Sequence, residues 1–134
     1  MSKSWSFYGP IHEFIIANDK DVTSGLAENI LVDVSMDGNS WQGDVSQKYL
    51  SHSHKLEAYI AEDRTDPRWI FYTAQSYHDS ASMQDNPDEN KERLRRSIKY
   101  YKERTERNDG YAEEIYYSHY RIGSIMKTLE EPWK

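Results

Sequence analysis

The residues able to do chemistry are few and scattered. His12 and Glu13 are adjacent. An imidazole is a borderline metal ligand and a hydrogen-bond donor, but one His and one Glu do not complete a metal site. The plainer reading of this pair is an exposed one at a strand edge. His52 and His54 stand two apart on a predicted helix, where side chains diverge. They read as solvated histidines rather than a metal pair. His78 and His119 fall on different predicted helices and meet only if those helices pack side by side. The chain has no Cys, which excludes disulfides, zinc-thiolate sites and cysteine nucleophiles. No glycine-rich phosphate loop, nucleophile elbow or paired-carboxylate site emerges. No catalytic residue, metal site or cofactor is therefore assigned to the chain itself.

One predicted helix is strongly basic, with Lys91, Arg93, Arg95, Arg96, Lys99, Lys102, Arg104 and Arg107. Glu89, Glu92, Glu103 and Glu106 interleave with them, the pattern of a solvated, ion-paired face. The net charge of −6 also argues against a nucleic-acid binder, which needs a basic footprint for phosphate. A length of 134 residues allows one domain with a modest core. Charged residues reach 30% and hydrophobic ones 37%, proportions that suit a small helical protein. The eleven Tyr suit helix seams that open onto a groove, because Tyr buries a ring and keeps its hydroxyl wet. No apolar run approaches membrane-spanning length, and residues 1–20 lack a signal-peptide pattern. The expectation is a soluble, cytoplasmic protein with no membrane contact.

The elements that would position these residues are organised around 66–80. Asp66 is a good N-cap, and Pro67 fits the first helical position. Trp69, Ile70, Phe71, Tyr72, Ala74 and Tyr77 then cover most of the circumference, so this helix must be buried on several sides. Upstream, Trp5 and Phe7 alternate before Gly9-Pro10, predicting a strand and a turn within 1–10. Residues 11–17, IHEFIIA, predict a second strand, and 30–36, ILVDVSM, a half-buried third. A capping box of Asp44 and Gln47 opens a helix to about 61, with a stripe of Tyr49, Leu56, Tyr59 and Ile60. Asn86, Pro87 and Glu89 open a helix to about 107 with Leu94, Ile98, Tyr101 and Thr105 inward. Asn108-Asp109-Gly110 is a stop and turn. The last helix, 111–129, places Ile115, His119, Ile122, Met126 and Leu129 on one face. The expected fold is mainly α, antiparallel helical hairpins behind a short N-terminal β segment. Its organisation is a β-rich 1–42 and a helical 43–134.

The helices carry a degenerate tetratricopeptide pattern: a large residue, an apolar residue three later, a small residue next, and an aromatic three beyond, where the last helix carries Met126 instead. The central helix reads Ile70, Thr73, Ala74, Tyr77, and the last helix His119, Ile122, Gly123, Met126. In this register Arg68, Phe71, Gln75, His78 and Asp79 project to the concave side. Tyr117, Tyr120, Ser124, Lys127 and Thr128 are their equivalents on the last helix. Tyr and Arg are common anchors of protein recognition, so these residues form a candidate partner groove. The plainer reading is that Phe71 and Tyr120 simply finish the core.

The stretches RWIFYTAQSYHD, IKYYKER and YAEEIYYSHYRIGSIMKTLEEPW resemble the tetratricopeptide-like C-terminal part of bacterial and phage family 2 glycosyltransferases. Upstream, YGPIHEFI resembles a segment near the end of their catalytic domain, and ILVDVSMDGNSW its last strand. The resemblance covers residues 9–133. It implies that His12, with Glu13, lies near the metal or diphosphate of a sugar donor in a complete enzyme. Ser35 and Met36 stand where the family often carries histidines, and no Asp-x-Asp motif follows a strand in an α/β unit. The nucleotide-binding half is absent from this sequence. The leading expectation is therefore a non-catalytic interaction or assembly module derived from such an enzyme, acting on a protein partner or by self-association. One alternative is the C-terminal portion of an active glycosyltransferase whose catalytic half lies elsewhere; only there would a divalent metal and a nucleotide-sugar enter. Another is a phage structural component reusing the fold.

Overall fold

Among the described residues, three of the four helices begin where a side chain can accept a hydrogen bond from the first turn. The structure, a computed structural model, describes residues 5–11, 14–18, 25, 30–31, 43–83 and 85–130, with residues 14–16 described by their backbone. Asp44 accepts from the Gln47 amide at 3.1 Å and opens α1 (Val45–Glu62). Asp66 accepts from the Arg68 amide at 2.9 Å and opens α2 (Pro67–Ser82). Asn86 accepts from the Asp88 and Glu89 amides and opens α3 (Pro87–Thr105). Pro67 and Pro87 occupy first-turn positions, where a missing N–H costs nothing. The fourth helix, α4 (Ala112–Leu129), starts after Tyr111 with no side-chain cap. Its first-turn Glu113 and Glu114 offset this by lying at the positive end of the helix dipole.

The chain divides into two compact units, Met1–Gly43 and Asp44–Lys134. In the first, β1 (Trp5–Tyr8) pairs antiparallel with β2 (Phe14–Ala17), from Trp5 opposite Ala17 to Tyr8 opposite Phe14. Trp5 and Phe7 share a face and are exposed. His12 and Glu13 lie outside the described residues. So does 32–36 of the expected third strand; its first two residues, Ile30 and Leu31, are described, carry no strand and are exposed.

The second unit is mainly helical and built of antiparallel hairpins. α2 packs along α1 and α3, α3 packs along α4, and α2 meets α4 over a short stretch. Burial follows from that position: Trp69, Ile70, Phe71, Thr73, Ala74, Ser76, Tyr77, Ser80 and Ala81 of α2 are all buried. Each large apolar side chain so removed from water contributes about 1.5–3 kcal/mol. The small residue Ala74 sits at the α2–α3 crossing, where its carbonyl accepts from Ser97 Oγ at 2.8 Å. The corresponding Gly123 of α4 is exposed, and a Cβ there would have no neighbour within 4 Å. A small residue at this position serves a following helix, and none follows α4 among the described residues.

The inner faces depart from the expected stripes. On α4, Glu114, Ser118, Ile122, Ile125 and Met126 are buried, whereas His119 is exposed. On α3, Arg93, Leu94, Ser97, Tyr100, Tyr101 and Arg104 are buried, while Ile98 and Thr105 are half-buried. The reason is that α3 packs against both α2 and α4, so its covered arc is wider than one stripe. Two of the cations assigned to a solvated face thus lie inside. Arg93 Nη1 donates to Ser46 Oγ at 2.6 Å and to the Ser80 carbonyl at 3.2 Å, tying α1, α2 and α3 together. Ser46 Oγ itself donates to the Ser80 carbonyl at 2.9 Å.

Candidate functional site

A groove of about 470 Å³ opens between the first halves of α2 and α4, lined by Arg68, Phe71, Tyr72, Gln75, Tyr111, Glu113, Glu114 and Tyr117. Helical spacing places the α2 members: positions 68, 71, 72 and 75 share one face. The α3–α4 turn brings Tyr111 and the start of α4 across from them. Gly110 makes that turn with φ +77°, a conformation that suits glycine. A Cβ on Gly110 would stand 2.7 Å from Pro67 Cγ, so the turn is pressed against the start of α2.

The floor is aromatic. The Phe71 ring lies 6.0 Å from that of Tyr117 and 5.9 Å from Tyr101, both edge-on. Phe71 therefore finishes the core and surfaces the groove at once. Tyr117 continues to Tyr120 at 6.0 Å, and Tyr120 is exposed. Gln75 is half-buried on this floor, and its carboxamide has no hydrogen-bond partner among the described residues.

One end of the groove is held by charge. Arg104 is completely buried. Its Nε donates to Glu114 Oε2 at 3.1 Å, and its terminal nitrogens donate to the carbonyls of Arg107, Asp109 and Tyr111. Arg68 Nε stands 3.5 Å from the other Glu114 oxygen. Glu113 accepts the Tyr111 hydroxyl at 2.7 Å, and that bond holds the phenol pKa above its ordinary value. Glu113 has no cationic partner among the described residues.

The other end is marked by Arg121, whose guanidinium lies over the Tyr117 ring, 4.9 Å from its centre. Arg121 Nη1 is 3.4 Å from His78 Nε2. Arginine only donates, so Nε2 accepts, and the proton sits on Nδ1 facing Asp79 Oδ1 at 3.2 Å. Arg121 has no carboxylate partner among the described residues. Of the expected groove residues, Arg68, Phe71, Gln75 and Tyr117 come together directly. Tyr120, His78 and Asp79 join through Tyr117 and Arg121. Lys127 is exposed near the end of α4, outside the lining.

Tyr72, Tyr111, Glu113, Glu114 and Arg121 were not singled out for this groove from the sequence. The available signal was the row Glu114, Ser118, Ile122, Ile125 at helical spacing, which places Glu114 on the buried face. His78 meets Arg121 rather than His119. His54 turns its edge to Tyr77 and His52 to Tyr49, so the two diverge. Among the described residues, no group of three His, Asp or Glu side chains is placed to hold a metal ion. No described helix is long and apolar enough to cross a membrane.

A second depression of about 430 Å³ lies between α1 and α3 over Tyr77, bordered by Leu50, His54, Arg93 and Arg96. Of its three carboxylates, Asp88, Glu89 and Glu92, the two glutamates are each paired with an arginine four residues on, at 3.2 Å. No family model, curated protein or solved structure matches this chain.

Proposed function

We propose that this chain is a non-catalytic protein-interaction or assembly module, tetratricopeptide-like and derived from a family 2 glycosyltransferase, working in the cytoplasm through the α2–α4 groove. The observation that carries the reading is the Gln75 carboxamide, without a partner among the described residues, on a floor of Phe71, Tyr72 and Tyr117. A half-buried amide offers both a donor and an acceptor, which matches the backbone of an extended peptide. Aromatic walls add contact area at little entropic cost, because each ring has few torsions to fix. The volume lies within the ~300–1,000 Å³ common for binding sites.

A random peptide library selected on the wild-type chain tests this. Enriched peptides should share a consensus and lose binding to Gln75→Ala and Tyr117→Ala variants that remain folded by circular dichroism. Absence of a consensus, or binding indifferent to both substitutions, overturns the reading.

A further inference from the structure

The charges that border the groove are largely spoken for. Arg68 and Arg104 both turn to Glu114, and Asp79 faces His78 Nδ1. Two groups are left. Glu113 is exposed, accepts the Tyr111 hydroxyl, and has no cationic partner among the described residues. Arg121 directs Nη1 to His78, and its Nε is buried with no hydrogen-bond partner among the described residues. Tyr117, on the aromatic floor, lies midway between them on α4. Along the helix Glu113 and Arg121 stand about 12 Å apart, at 1.5 Å per residue.

Gln75 decides between a helical and an extended occupant. Its carboxamide is half-buried on the floor and offers a donor and an acceptor. In the middle of a helix the backbone N–H and C=O groups are already bonded to each other, whereas an extended segment presents both. In extended backbone, side chains two and four residues apart point to the same side, and four residues span about 13 Å. That span matches the distance from Glu113 to Arg121.

Resting on the reading of the groove as an interaction surface, we infer that its occupant is an extended segment of another protein with opposite charges four residues apart and an aromatic residue midway. The cation meets Glu113, the ring lies on the Phe71–Tyr117 floor, the anion meets the Arg121 guanidinium, and Gln75 pairs with the backbone between. A carboxamide can turn its oxygen and nitrogen about, so either chain direction fits. The order of the two charges is free, and their opposition is not.

Four short peptides, acetylated and amidated so that their ends carry no charge, test this by isothermal titration calorimetry on the full chain. Each has tryptophan at the centre and threonine elsewhere, except two residues to either side of the tryptophan. Those two positions carry lysine and glutamate, glutamate and lysine, two lysines, or two glutamates. The oppositely charged peptides should bind the wild type about tenfold or more tighter than the like-charged ones. Glu113→Lys, checked for folding by circular dichroism, should turn the preference to the two-glutamate peptide, and Arg121→Glu to the two-lysine peptide. A change that merely loosened the fold would weaken all four alike. Equal binding of the four to the wild type, binding of none, or a preference unmoved by Glu113→Lys overturns the inference. So does a dimer of the full chain in light scattering that Glu113→Lys abolishes, because the groove then belongs to a second copy. If library peptides bind through Gln75 and Tyr117 without this charge pattern, the inference falls and the functional reading stands. If neither library nor designed peptides bind, both fall.

Discussion

Arg104 has no exposed surface, yet it carries a full charge. Its guanidinium serves Glu114 and three carbonyls at once, so nearly all of its donors are satisfied. Removing it leaves a buried carboxylate and orphaned carbonyls, a change that costs about 3–5 kcal/mol. Arg104→Ala is expected to lose that much in urea unfolding, and Arg104→Lys to recover little, because an ammonium cannot span the four acceptors. Tyr101 is the opposite case. It is fully buried, and its hydroxyl has no hydrogen-bond partner among the described residues. Tyr101→Phe removes the unmet group and is expected to raise stability by about 1 kcal/mol. Burial raises the pKa of Tyr101, and burial together with Glu57 raises that of Tyr100, above the ordinary 10.0. The folded chain thus holds protons that the unfolded chain releases. Stability from this source is complete below pH 10 and falls as the pH rises beyond it. Denaturation midpoints measured through this range should fall, and Tyr101→Phe should flatten the slope.

The turn between α3 and α4 and the middle of α4 make opposite demands on glycine. Gly110 has a positive φ and Pro67 against its missing side chain; Gly123 is exposed in regular helix with open space around it. Gly110→Ala should cost about 1–3 kcal/mol, and Gly123→Ala should gain about 0.5–1 kcal/mol, both read as shifts of the urea midpoint. Helix starts were legible in the sequence because a cap is a local event. Asp44, Asp66 and Asn86 each lie two or three residues from the amides they satisfy. The inner face of α3 was not legible. Arg93 and Arg104 carry charge, and only tertiary neighbours on other segments, Ser46, Ser80 and Glu114, make their burial favourable.

Across the whole molecule, the groove was half legible. Positions 68, 71 and 75 share a face by helical spacing, so its α2 wall follows from the sequence. On the other wall Tyr117 follows from the same register, but how far the α3–α4 turn swings Tyr111 and Glu113 across is not contained in local pattern.

The seams between helices have a further consequence. Ser46, Ser53, Ser76, Ser80, Ser97 and Ser118 are buried alongside Arg93 and Arg104, so the hidden surface includes polar groups as well as the apolar core. Exposing apolar surface to water raises heat capacity, and exposing polar surface lowers it. Calorimetry should therefore find an unfolding heat-capacity change below the usual ~12–15 cal/mol/K per residue. The curve of stability against temperature would be correspondingly flat, with this protein losing little of its stability in the cold.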